Sequence, residues 1–123
     1  ADGVILTMGT VAGAAVDAVD TLADHGIAVG VCVISAPLDL DDEAMERAAK
    51  APWVLVVEDH GWRTGLWASV AEWSTRRGVA MRAVPLGVTG YQSSGTARDL
   101  MARAGLDVAG IVERARLLIA AGD

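Results

Sequence analysis

The chain has 123 residues, 53% of them hydrophobic, and its 16 acidic against 10 basic side chains give a net charge of −6. That length and apolar share suit one domain with a continuous core, and the lack of any Lys/Arg-rich run makes nucleic acid an unexpected partner. The longest apolar runs, Ile27 to Ile34 and Trp53 to Val57, fall far short of the roughly 20 residues a membrane-spanning helix needs, so no membrane is expected.

Val4 to Met8 is a short apolar, β-branched run closed by Gly9, the pattern of a strand buried on both faces. From Val11, apolar Ala15, Val19, Leu22 and Ala23 recur at helical spacing while Asp17, Asp20 and Asp24 line the other side; Gly26 is the stop. Ile27 to Ile34 reads as a second buried strand. In the segment after it, Asp39 or Asp41 can cap a helix that Pro52 ends. Trp53 to Glu58 is the third strand, HGWRTG its loop, and Leu66 to Arg77 a helix with Leu66, Val70 and Trp73 on one stripe. Val79 to Pro85 or slightly beyond is the fourth strand, followed by a loop and two helices, about Thr96 to Ala104 and Val108 to Ala120, the second capped by Asp107. Strands alternating with helices at this spacing predict a three-layer α/β/α domain on a mainly parallel sheet of four strands, residues 1–123 forming a single unit.

Ligands of open parallel sheets sit beyond the carboxyl ends of the strands. The loops to inspect are Gly9 to Val11, Ser35 to Asp41, Asp59 to Gly65 and Gly87 to Gly95. The first, around Gly9 and Thr10, opens a helix and is either an anion site or an ordinary turn, since it has neither a dinucleotide fingerprint nor a P-loop. The third brings Glu58, Asp59, His60 and Arg63 together, the ingredients of acid–base chemistry, with Trp62 and Trp67 alongside. Strand alternation sends Glu58 and His60 to one side and Asp59 to the other, which favours a Glu58–His60 pairing. The group touches a ligand or partner, or it orders the loop; the two tryptophans face an interface or fill the domain's own core. Trp53 and Trp73 are core residues. His25, beside a helix stop, and Cys32, mid-strand among valines, are structural. One cysteine forms no intrachain disulfide, and with no signal-like opening the expected setting is cytoplasmic.

Taken in order, these segments resemble the C-terminal domain of transketolases and of deoxyxylulose-phosphate synthases. MGTVAGAAVDAVDTLADHGI is similar to that family's first strand, Gly-Ser/Thr turn and helix, and APLDLDDEAMERAAKA to its Pro-Leu-Asp segment. VLVVEDHGWRTGLWASVAEW is similar to its Glu-Asp/Glu-His strand end and glycine loop, and SSGTARDLMARAGLDVAGIVERA to its ending. The related β subunits of 2-oxoacid dehydrogenases usually carry a proline-rich segment there, absent here. Thr64–Gly65 also stands where the family commonly has Gly-Gly.

The resemblance implies no cofactor in this domain. Thiamine diphosphate and a divalent metal are held by two preceding domains, the expected partners, in a homo-oligomeric enzyme of two-carbon ketol transfer or related carboligation. This domain would serve assembly and dimer contacts and be inactive alone. The resemblance also implies an antiparallel edge strand before the segment matching Val4 to Met8, for which this chain begins too late. Candidate interface or ligand contacts are Gly9, Thr10, Glu58, His60, Trp62, Arg63, Gly65 and Ser94; no catalytic, cofactor-binding or metal residue is expected. The alternative is a free-standing module binding a small phosphorylated or acidic metabolite around Gly9, His60 and Ser94; a third reading, a hydrolase, would use Ser94 and His60.

Overall fold

Alternation along the strands decides which layer each residue builds. The computed structural model describes residues 2–61, 65–88 and 105–122. Its strands, β1 (Gly3–Thr7), β2 (Val29–Val33), β3 (Val54–Gly61) and β4 (Ala83–Val88), form one parallel sheet in the order β2-β1-β3-β4. A 3-10 turn (Gly9–Val11) leads into α1 (Ala12–Asp24); α2 (Asp42–Ala49), α3 (Leu66–Arg77) and α4 (Val108–Gly122) follow. Ile5, Leu55 and Val57 point to one side of the sheet, against Ala15, Ala18 and Leu22 of α1 and Ile111, Ala115 and Leu118 of α4. Leu6, Val54 and Val56 point to the other, against Met45 and Ala48 of α2 and Leu66, Val70 and Trp73 of α3. The expected three-layer α/β/α architecture follows directly from this division.

The helix boundaries have visible causes. Asp41 caps α2, its Oδ1 accepting from the Glu43 amide at 3.0 Å, and Asp107 Oδ1 accepts from the Gly110 amide at 2.9 Å at the start of α4. The layer of α2 and α3 is tied across its outer side by Asp42, which accepts from the Trp73 indole and from Arg77, each at 2.8 Å. The indole hydrogen bond first, and the Arg77 charge beside it, hold the Asp42 carboxyl below its ordinary value of 3.8.

Three strand assignments need correcting. The run Ile27 to Ile34 is apolar enough for a strand buried on both faces, but the strand order places β2 at a sheet edge, where Val31 and Val33 are exposed. The fourth strand begins at Ala83, not Val79, because the register set by Val54 opposite Ala83 leaves the earlier residues no partner strand; Val79 and Met81 pack on the α2–α3 side instead. The third strand runs past Glu58 to Gly61, across an irregularity in its register with β4, so Asp59, His60 and Gly61 belong to the strand and not to its loop. The helix expected near Thr96 to Ala104 lies outside the described residues.

Trp53 and Trp73 are both buried, as expected for core residues. Trp53 lies so close over Gly3 that a Cβ there would stand 2.1 Å from its ring. Overpacking of a closed core costs about 1–3 kcal/mol, more where a rigid ring must move. Gly3→Ala is therefore expected to lower the urea unfolding midpoint by the equivalent of about 2 kcal/mol or more, with Trp53→Leu in the same chain recovering part of it. A Gly3→Ala protein as stable as the parent would show that the ring is not held there.

Candidate functional site

In β3 the side chains after Val56 and Val57 continue the same alternation, and both are acidic. Glu58 follows Val54 and Val56 toward α3; Asp59 follows Leu55 and Val57 toward the start of α1. The Glu58 carboxylate is fully buried. Its Oε1 accepts from the Leu66 amide and its Oε2 from the Trp67 amide, both at 2.8 Å. These are the first two amides of α3, whose N-cap, Gly65, has no side chain to offer them. The negative charge also meets the positive end of the helix, so amide donors and helix dipole together compensate its burial.

Asp59 performs the corresponding task on the opposite layer. Thr10 Oγ1 donates to Asp59 Oδ2 at 2.5 Å. Gly9, with φ of 76°, has its Cα so close to the same carboxylate that a Cβ would stand 2.9 Å from Oδ1. The strand order reverses direction between β1 and β3, and these are the carboxyl ends of those two strands, the usual ligand crevice of such a sheet. Here an internal carboxylate stands beside the turn that could otherwise receive an anion. Nearby, the Thr7 hydroxyl at the end of β1 is buried with no partner among the described residues.

Of the expected contact residues, the structure brings Gly9 and Thr10 together around Asp59, and joins Glu58 to the helix start at Gly65. His60 lies in β3 as backbone; its side chain, and Trp62, Arg63 and Ser94, are outside the described residues. The expected Glu58–His60 pairing falls on a side chain outside the described residues; what is described is that both Glu58 oxygens accept from α3, so the carboxylate acts as a helix cap. Trp67 is half-buried and packs against the α2–α3 core, in keeping with the core alternative. His25 is a helix-end residue whose Nδ1 lies 2.9 Å from the Thr21 carbonyl oxygen. Asp59 is part of the group read from the sequence but was left out of the candidate contacts; alternation sets it opposite Glu58, and the structure puts it on the side of the Gly9–Thr10 turn.

A parallel α/β sheet with its loops fastened at a β1/β3 reversal defines the class of the molecule. Residues 1–111 match the transketolase C-terminal domain family. The 1-deoxy-D-xylulose-5-phosphate synthase of Syntrophotalea carbinolica is 32% identical over 117 residues, 94% of this chain and 18% of that protein. That of Chlorobium phaeovibrioides is 28% identical over 93% of this chain and 18% of its own length. Among solved structures, a split-gene transketolase described as an inactive β4 tetramer superposes with a TM-score of 0.87 at 24% identity, covering 97% of this chain and 39% of its own. Transketolase of Pichia stipitis in complex with sedoheptulose 7-phosphate gives 0.72 at 23% identity, covering 98% of this chain and 16% of its own. The chain belongs to the transketolase C-terminal domain family, and it spans about a fifth of the length of the synthases it matches.

Two outcomes test the fasteners. Glu58→Ala leaves two buried helix amides without an acceptor, at about 1–3 kcal/mol each, whereas Glu58→Gln keeps one acceptor and loses less. The order of urea midpoints is expected to be parent, then Gln, then Ala; equal midpoints for Gln and Ala would remove the capping role. Gly9→Ala combines a left-handed backbone, about 1–2 kcal/mol for a residue with a Cβ, with the contact on Asp59. Asp59→Ala in the Gly9→Ala background is expected to be less damaging than in the parent, a coupling read from a double-mutant cycle. Strict additivity would mean that the two residues do not touch.

Proposed function

We propose that the chain is the C-terminal domain or small subunit of a transketolase-like, thiamine-diphosphate-dependent enzyme, serving assembly and dimer contacts and not catalytic by itself. The parent reaction is two-carbon ketol transfer or a related carboligation; the two synthase relatives favour the second. The observation that carries this reading is the end-to-end match, the family covering residues 1–111 and the split-gene transketolase superposing over 97% of the chain.

The chemistry of the described residues agrees with a supporting role. Among them no group of three or more His, Cys, Asp or Glu side chains is placed to hold a metal ion. The two carboxylates at the end of β3 are engaged with α3 and with Thr10. What Glu58 and Asp59 do is fix both layers to the end of β3, so that the strand end from Asp59 to Gly61 is held on both sides. We assign that segment to contact with the thiamine-binding domains.

The alternative, a free-standing module for a phosphorylated or acidic metabolite, finds the Gly9 turn already engaged within the chain, the Thr10 hydroxyl donating to Asp59. Calorimetry and assembly measurements separate the two. The 123-residue chain is expected to give no heat with sugar phosphates or thiamine diphosphate and no turnover of ketose donors. It is expected to form a stoichiometric complex, active with thiamine diphosphate, when combined with the thiamine-binding domains. Saturable sugar-phosphate binding by the chain alone, without complex formation, would overturn the proposal in favour of the module.

A further inference from the structure

The Ile34 amide donates to the Thr7 carbonyl at 2.7 Å, and the Trp53 carbonyl accepts from the Val4 amide at 3.1 Å. Between these two anchors, both on β1, the chain leaves the sheet and returns to it. Within the enclosed segment, residues 35–52, every backbone hydrogen bond among the described residues closes inside the segment itself. These run from Asp39 to Ala36, Met45 to Asp41, Lys50 to Arg47 and Ala51 to Ala48, besides the bonds within α2. Among the described residues its side-chain hydrogen bonds to the rest of the molecule all end on α3. The Trp73 indole and Arg77 Nη1 donate to Asp42, and Arg77 Nη2 donates to Glu46, each at 2.8 Å. Arg77 also lies over the Trp73 ring, 5.5 Å from its centre, so the two partners on α3 support each other.

The apolar hold on this segment is small. The buried side chains of α2 are Met45 and Ala48, whereas α1, α3 and α4 each bury three. Two hollows undercut it, one of ≈230 Å³ bordered by Leu6, Cys32, Ile34 and Met45, the other of ≈420 Å³ between the loop before α2 and α3. A helix of 8 residues does not persist in water without support, so releasing α2 from α3 also unwinds it. Segments with few buried apolar contacts are where local opening occurs. The ties to α3 are of a kind that can break, because ion pairs in contact with water contribute little each.

We propose that residues 35–52 form a lid that opens as a unit, α2 unwinding as it does, while the sheet and the α1–α4 layer stay folded, and that the cluster of Asp42, Glu46, Trp73 and Arg77 is its latch. Opening bares Leu6 and Met45, which the closed domain conceals. The lid is a property of the chain's own packing and holds whether or not the domain docks on another.

Amide hydrogen exchange of the 123-residue chain, across a series of urea concentrations below the unfolding transition, tests the lid. The amides of Met45 to Ala49 are expected to exchange about tenfold or more faster, relative to unstructured peptide, than those of Ile5 and Leu55 at the centre of the sheet. They are also expected to share one shallow urea dependence, because the slope follows the surface exposed and the lid exposes little. Arg77→Ala removes the ties to Asp42 and Glu46 without altering the segment, and is expected to raise the exchange of those amides about fivefold. Arg76→Ala, at a side chain whose ion pair is with Glu72 of its own helix, is expected to leave it within about twofold. Unfolding of the whole domain breaks the latch too, so the urea slope is what distinguishes the two openings. Exchange of the α2 amides with the rate and slope of the strand amides overturns the inference, since the segment then opens only with the whole domain. Exchange with no urea dependence, the mark of residue-by-residue fraying, overturns it as well. Equal effects of the two arginine variants overturn the latch.

Discussion

A parallel strand must send neighbouring side chains to opposite layers, and two successive carboxylates of β3, Glu58 and Asp59, turn that rule into the main joint of the molecule. One carboxylate fastens the α2–α3 layer by accepting the first amides of α3, and the other fastens the α1–α4 layer through Thr10. Burying a carboxylate in an apolar core is costly unless several donors meet it. Leu66 and Trp67 supply amide donors already aligned by the helix, so the same two bonds compensate the charge and satisfy groups that a helix start leaves open. The position of α3 relative to β3 is thus set by hydrogen-bond geometry as well as by the packing of Leu66, Val70 and Trp73.

The electrostatic sign of this arrangement matters for function. Sheets that bind phosphates leave helix-start amides free and pointing into the crevice at the strand ends. Here the α3 amides are taken by Glu58, and the turn before α1 has Asp59 against it. The fold is one that often binds nucleotides and phosphorylated ligands, yet fold alone assigns no ligand. The residues at the joint speak for a rigid base under the neighbouring loops, which suits contact with protein better than capture of an anion.

Most of the architecture was legible in the sequence because helical and strand periodicities differ so sharply here. The stripe Leu66, Val70, Trp73, the caps Asp41 and Asp107, and the alternation of apolar runs with amphipathic segments each specify a local structure without reference to the rest of the chain. What was not legible depended on strand order. Nothing local in VGVCV distinguishes a central strand from an edge strand, and Val79 to Arg82 has a strand-like composition although only Arg82, whose carbonyl accepts from the Val54 amide, reaches β3. The site divided along the same line. Alternation separated Glu58 from Asp59, but that Glu58 reaches the amides of α3 depends on where α3 returns to the sheet, a tertiary fact. The partner of Asp59 was not legible because Thr10 is 49 residues away in sequence.

The outer edge of β2 carries the remaining argument. Natural edge strands are commonly protected by lysines, prolines, bulges or a covering segment. The five residues of β2, Val29 to Val33, contain no charge and no proline, Val31 and Val33 are exposed, and no strand pairs with the outer edge among the described residues. An edge with these features, left bare, is a template for pairing with any other extended chain. It lies directly before the loop at Leu38, so unsatisfied apolar surface and unpaired backbone occur together along one side of the domain. The cohesion of this domain lies in its two cores, while the outer edge of β2 presents exposed valines and a backbone that no strand pairs among the described residues.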